Sequence, residues 1–280
     1  MYLQELKGRY SRLERIKKGG QKTVFRAEGG SEPVALKLIH CPNDPRVMQE
    51  IEIMKGLVSR YIPKIIESGN VVDETDGETL LYIIEEYIHG DSLRDWLAKG
   101  NTFDLKIAYQ ILFYLIEIEI ELEELKILHR DINPNNIILL NNGEIRLIDF
   151  GLAKIIGGLS LTKTAAINGP FTPGYAPHEQ IANIKLNQDV RTDLFQIGVT
   201  IYEALSGKNP FVEQASGLYD IMSRTMTLMP PTLNIGGDTK GMFSQFINML
   251  MAKNQSQRPD TAQQAMKYLL AIQSSLEIEG

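Results

Sequence analysis

His129-Arg130-Asp131-Ile132-Asn133-Pro134-Asn135-Asn136 and, a short way downstream, Asp149-Phe150-Gly151 set an aspartate and an asparagine five residues apart and a second aspartate beyond a turn. Residues 137–140 and 144–148 are apolar runs on either side of Asn141-Asn142-Gly143, a strong hairpin signal. A hairpin there lets Asn136 and Asp149 converge on one metal. One polar group is then left to orient a hydroxyl, while two hold the metal of a nucleoside triphosphate. On its own the stretch also reads as a charged turn between two strands, so its meaning depends on what surrounds it.

Upstream, Asp104 opens a long helix with apolar residues at Leu105, Ala108, Ile111, Leu112, Leu115, Ile118 and Leu122, the spacing of a buried core helix. It delivers the chain to Lys126-Ile127-Leu128 and the loop. A shorter helix starts at Asp91-Ser92 and runs through Trp96 and Leu97. Further back, residues 10–27 read as strand, glycine turn, strand: Leu13-Glu14-Arg15-Ile16 leads into Gly19-Gly20, and Thr23-Val24-Phe25 leads out. Pro33-Val34-Ala35-Leu36-Lys37-Leu38-Ile39 alternates apolar residues around one lysine, the period-two pattern of a strand. Asn43 or Asp44 before Pro45 starts a helix, with a stripe at Val47, Ile51, Met54 and Leu57. Residues 62–72 and 80–87 give two more strands around the acidic turn 73–78. Beyond the loop, residues 152–178 are rich in Gly, Ser and Thr, too long for an ordinary connection and therefore functional or mobile. Asp193 opens a helix running to Leu205. From Ser206 onward the chain is mostly helical, broken at Pro230-Pro231 and Gly236-Gly237, and Met222, Met226 and Met229 read as core or surface rather than as ligands.

Composition narrows the function. The 280 residues are 43% hydrophobic and 23% charged, an ordinary globular balance. A net charge of -6 argues against a nucleic-acid binder, which needs a basic footprint. Cys41 is the only cysteine, so an internal disulfide and a cysteine-rich zinc site are excluded and a reducing compartment fits. No signal peptide is visible. The most apolar stretch, 107–122, carries Glu117, Glu119 and Glu121, which argues against a membrane span. The expectation is a cytoplasmic protein, with economy pointing to a microbial source.

With these surroundings, H-R-D-x-x-x-x-N followed by D-F-G resembles the catalytic loop of the protein kinases. The V-A-L-K spelling at Lys37 resembles the strand whose lysine holds the α- and β-phosphates. Its partner in that family is a glutamate on the next helix, and Glu50-Ile51-Glu52-Ile53-Met54 fits the spacing with Glu50, leaving Glu52 as a solvated charge. Ile83 to Gly90 resembles the hinge whose backbone meets the adenine edge. That alignment puts Glu85 where an apolar gatekeeper is usual, a costly place for a carboxylate unless it reaches Lys37 or the polar edge of the pocket; a one-residue shift of the alignment is the other reading. Thr172-Pro173-Gly174-Tyr175 resembles the T-P-x-Y that docks substrate. Pro177-His178-Glu179 replaces A-P-E but keeps the glutamate, and Arg258 matches its ion-pair partner. Asp193 matches the residue that braces the catalytic loop.

The resemblance covers about residues 10–272. It implies an α+β, bilobal fold: a small N-terminal antiparallel sheet lobe with one helix (1–88) and a larger, mainly helical C-terminal lobe (89–280). It implies transfer of the γ-phosphoryl of ATP to a protein Ser or Thr hydroxyl, with Mg2+. Asp131 would orient or deprotonate the hydroxyl, and Asn136 and Asp149 would hold magnesium. Lys37, steadied by Glu50, would hold the phosphates. Ile16, Gly19, Gly20, Val24, Ala35, Glu86 and Ile88 would line the nucleotide. Arg130 would receive a phosphorylated residue of the segment after Gly151, with Ser160, Thr162 and Thr164 as candidates. The partner implied is a protein substrate, without nucleic acid or membrane.

Two departures stand out. The G-x-G-x-x-G-x-V hairpin is degenerate: aligned on Val24, its glycine positions hold Lys17, Gly19 and Lys22. Asn133 also occupies the place of the lysine that usually contacts the γ-phosphate two residues after the catalytic aspartate. Losing an aimed donor costs about 10²-fold or more in rate. The expectation is a slow enzyme, or one compensated by Lys22 or another cation, in which Asn133→Lys raises turnover. These departures keep a pseudokinase, a nucleotide-binding scaffold, as the alternative. A small-molecule phosphotransferase fits less well, because such enzymes usually lack D-F-G, T-P-x-Y and the Glu179/Arg258 pairing.

Overall fold

The computed structural model describes residues 1–18, 22–40, 45–150, 153–155 and 171–277. The chain is α+β and divides into two compact units, Met1–His89 and Gly90–Gly280.

The first unit begins with a helix, α1 (Leu3–Gly8), and is built on five antiparallel strands. These are β1 (Arg12–Lys18), β2 (Lys22–Glu28), β3 (Val34–Ile39), β4 (Ile65–Val72) and β5 (Thr79–Glu86), in the order β1-β2-β3-β5-β4. A second helix, α2 (Pro45–Gly56), joins β3 to β4. Because strand side chains alternate, register assigns each residue to a face. One face carries Ala27, Leu36, Leu38, Tyr82 and Ile84, which pack on Leu3 and Leu6 of α1. The other carries Ile39, Leu81 and Ile83, which pack on Ile51 of α2. Val24 pairs with Lys37 and Lys37 with Ile83, so Lys37 belongs to the α2 face.

Two expectations need correction here. The unit holds two helices among the described residues, not one: six residues with only Leu3 and Leu6 buried give too short a pattern to register as a helix. β4 starts at Ile65 rather than at 62, since Pro63 has no N–H for a ladder. The register of β1 slips between Arg15 and Lys17, and Ile16 is left 54% exposed. Gly19 and Gly20 lie outside the described residues.

The second unit is mainly helical. A two-residue strand β6 (Asp91–Ser92) leads into α3 (Leu93–Ala98), capped by the Ser92 hydroxyl, which accepts the Asp95 N–H. Trp96 of α3 packs against Phe103, with ring centroids 4.9 Å apart. The Asp104 carboxylate caps α4 (Leu105–Glu124) by accepting the Ile107 N–H at 2.8 Å. The stripe read from the sequence is buried throughout: Leu105, Ala108, Ile111, Leu112, Leu115, Ile118 and Leu122. After β7 (Ile127–Leu128), the loop and one 3-10 turn (Pro134–Asn136) come β8 (Ile137–Leu139) and β9 (Ile145–Leu147). Their hairpin closes through Leu140 N–H to Glu144 O, with Gly143 at φ 83, where a side chain would be strained. β6 pairs with β8, and β10 (Lys154–Ile155) pairs with β7.

The remaining elements are helices α5 (His178–Ile181), α6 (Val190–Ser206), α7 (Leu218–Thr227), α8 (Met242–Leu250) and α9 (Ala262–Gln273). α4, α6, α8 and α9 form the core of the unit. α6 begins at Val190, not at Asp193: the cap is Asp189, whose carboxylate accepts the Arg191 N–H, and this frees Asp193 for another task. Met229 is exposed, and Met222 and Met226 are partly so, which places that run at the surface. Among the described residues no helix is long and apolar enough to cross a membrane.

Candidate active site

The segment between β7 and β8 is a loop whose backbone is held from behind by α6. Asp193, fully buried, accepts the His129 N–H at 2.8 Å with Oδ2 and the Arg130 N–H at 2.7 Å with Oδ1. Gln196, three residues on and so on the same helix face, accepts the Ile132 N–H at 2.7 Å and donates to Arg130 O at 2.9 Å. Gln180 of α5 donates to the same carbonyl at 2.8 Å. These bonds hold Arg130 at φ 62, a conformation a non-glycine residue adopts only when its surroundings impose it. Gln196 and Gln180 were not singled out from the sequence; the signal available was, for Gln196 alone, its three-residue spacing from Asp193.

His129 is fully buried and packs edge-on to Phe150, centroids 4.6 Å apart. Burial lowers its pKa to about 4, against the opposing charge of Asp149. The ring is therefore neutral and uses Nδ1 to accept the Asp131 N–H at 3.2 Å.

Asp131 is the focus of the loop. Asn133 Nδ2 donates to its Oδ1 at 2.9 Å, Asn136 Nδ2 to its Oδ2 at 2.8 Å, and Thr172 Oγ1 to its Oδ1 at 2.5 Å. Burial raises its pKa to about 6, the Asp149 charge adds to the rise, and the three hydrogen bonds oppose it. Asn133 Oδ1 also accepts the Asn135 N–H at 3.0 Å, capping the 3-10 turn. Asn133 is thus committed at both ends of its amide, which reading it as a missing lysine did not anticipate. Ile148 N–H donates to Asn136 O at 2.9 Å, so the hairpin brings Asp149 beside Asn136. With the Asn136 nitrogen spent on Asp131, its oxygen remains as a donor atom for a cation. That oxygen and the Asp149 carboxylate are hard ligands of the kind magnesium takes. Among the described residues no group of three or more His, Cys, Asp or Glu side chains forms a self-sufficient metal cage, and magnesium bound with phosphates does not require one.

Thr172 belongs to a turn closed by Tyr175 N–H to Thr172 O at 3.2 Å. The Tyr175 hydroxyl donates to Glu203 of α6 and accepts from Arg94 of α3. Arg94 Nη1 meets Glu203 Oε1 at 2.8 Å. Glu179 and Arg258, both buried, pair at 2.6 Å as their motifs implied. Arg130 Nη1 donates to Gln188 Oε1 at 3.2 Å. Ser160, Thr162 and Thr164 lie outside the described residues.

In the first unit Lys37 Nζ meets Glu85 Oε1 at 2.7 Å, and both side chains are buried. This is one of the two partners that chemistry allowed for Glu85. Glu50 lies on α2, but its side chain lies outside the described residues. Glu86 is exposed at the end of β5, Ile88 is half-buried beyond it, and Ala35 is buried on β3.

The chain matches the family described as "Protein kinase domain" over residues 10–270. It is 26% identical to the probable serine/threonine-protein kinase pknA2 of Bifidobacterium longum, covering 99% of this chain and 37% of that protein. It is 30% identical to a probable serine/threonine-protein kinase of Streptomyces coelicolor over 74% of this chain and 31% of that one. For the serine/threonine-protein kinase PknL of Mycobacterium bovis the figures are 26%, 90% and 63%. The chain therefore spans about a third of the length of the first two relatives and under two thirds of the third. A match that runs from β1 to α9 and contains the Asp131 loop places the chain in the protein kinase domain family.

Proposed function

We propose that the chain transfers the γ-phosphoryl of Mg-ATP to serine or threonine hydroxyls of a protein substrate. The observation that carries this reading is Asp131: a half-buried carboxylate aimed by two amides and a threonine hydroxyl, with its pKa raised to about 6. A general base works best with a pKa near the operating pH. Asp131 takes the proton of the acceptor hydroxyl as that oxygen bonds the γ-phosphorus and ADP leaves. Asn136 and Asp149 would hold magnesium, which neutralises charge on the phosphates. Lys37, with Glu50, holds the phosphates. Ile16, Gly19, Gly20, Val24 and Ala35 cover the nucleotide, and the backbone at Glu86 and Ile88 meets its base. The Thr172 hydroxyl on Asp131 supports Ser/Thr over Tyr acceptors, as do the names of the relatives. A cytoplasmic setting belongs to the same proposal, supported by the single cysteine.

The test is incubation with labelled ATP, magnesium and an unstructured acceptor protein, comparing wild type with Asp131→Asn. We expect label on serine or threonine of protein, reduced about 10²- to 10⁴-fold in the variant. Equal labelling by both proteins, or label only on a small metabolite, removes the proposal.

A further inference from the structure

The Lys37–Glu85 pair is not used by the proposed reaction, and it has a consequence for how the chain takes up nucleotide. Register fixes where it lies. Ala35 pairs with Glu85 and Lys37 with Ile83, so Ala35, Lys37, Ile83 and Glu85 share one sheet face. Glu85 meets Lys37 on the diagonal, across the position of Ala35. The contact at 2.7 Å therefore draws the ammonium back along β3 over Ala35. The side chains are only 7% and 6% exposed. A carboxylate buried on a strand is costly unless its charge is answered, and Lys37 answers it. Phosphates approaching Lys37 bring the same kind of charge that Glu85 already supplies.

We propose that Glu85 is an internal counter-ion that competes with the phosphates of the nucleotide for Lys37, and so sets a low nucleotide affinity. This rests on the reading that Lys37 holds phosphates. It requires only that Glu85 be one partner of Lys37, whatever Glu50 contributes. Removing the carboxylate leaves a buried ammonium with one anion fewer. The variant loses stability without ligand, and nucleotide then supplies the missing charge. Binding and stability become more strongly linked than in wild type.

The test is calorimetric binding of ATP with magnesium, with thermal melts with and without nucleotide, for wild type, Glu85→Gln, Glu85→Asp and Lys37→Met. We expect Glu85→Gln to bind about tenfold more tightly than wild type, the scale of one charge-assisted hydrogen bond. Its melting midpoint should fall without nucleotide and rise further on adding it than that of wild type. Glu85→Asp keeps a shorter carboxylate and is expected to fall between the two; it carries the comparison if Glu85→Gln does not fold. Unchanged or weaker binding in both Glu85 variants, with Lys37→Met also weakened, overturns the competition and leaves the role of Lys37 intact. Binding by Lys37→Met equal to wild type overturns both.

Discussion

At Asp131 the opposing influences on one carboxyl are all visible. Burial and the Asp149 charge favour the protonated form, while Thr172, Asn136 and Asn133 favour the carboxylate, and burial wins. As base, Asp131 must be ionised, so kcat/KM is expected to rise with pH through a midpoint near 6. Asn133→Ala removes a donor that stabilises the carboxylate, so the same limb should move to higher pH; a limb that stays put would show that the contact carries no weight. The linkage to stability has a definite sign. The folded carboxyl holds its proton more tightly than the usual 3.8, so stability contributed by the protonated form is present at low pH and lost as pH rises toward 6. Asn133→Lys supplies the charge that the family usually has but loses the oxygen that caps Asn135. We expect higher turnover together with a lower melting midpoint; an unchanged or lower rate contradicts it. The asparagine itself was legible as a departure from the family pattern. Its two-ended hydrogen bonding was not, because that depends on the fold of the 3-10 turn.

Among the elements, α6 is the bearing of the loop: Asp193 and Gln196 together meet three N–H groups and one carbonyl of residues 129–132. Asp193→Asn puts an N–H where a carboxylate oxygen accepts, leaving a buried donor unanswered at a cost of about 1–3 kcal/mol. Its rate should fall with substrate KM little changed, as read by steady-state kinetics. α4 shows the opposite situation. Glu119 is fully buried, and neither carboxylate oxygen has a hydrogen-bond partner among the described residues. Burial, with Asp193 and Glu123 nearby, raises its pKa well above the usual range. Glu119→Leu is expected to raise the melting midpoint, and a lower one would reveal a partner for the acid. The apolar stripe and cap of α4 were legible because a 20-residue helix repeats its pattern many times. The start of α6 was misread because Asp189 and Asp193 are both acids near a helix start, and only burial separates the cap from the brace. Nothing in the sequence marked Arg94, whose tie to Tyr175 and Glu203 joins segments distant along the chain.

Across the whole molecule, long-range pairs were legible where a family pattern named both ends or, as for Lys37 and Glu85, where a buried carboxylate needed an answering charge. Glu179 and Arg258, 79 positions apart, were matched by their motifs and do meet. Arg258 also donates to Ala252 O and Arg191 O, so its guanidinium is answered on several sides. Arg258→Met leaves Glu179 charged and buried and should cost about 3–5 kcal/mol in denaturant unfolding, the scale for breaking one side of such a pair. In the sequence a division near residue 88 was implied by the family resemblance alone; in the fold the contacts cluster into Met1–His89 and Gly90–Gly280. The packing of Trp96 on Phe103 has a practical consequence. Trp96 is the only tryptophan in the chain, and it lies within Gly90–Gly280. Indole emission is therefore a native optical label for the helical unit alone. Substitutions on the sheet, such as Glu85→Gln, should leave its wavelength maximum in place, whereas loosening α3 should shift it to the red.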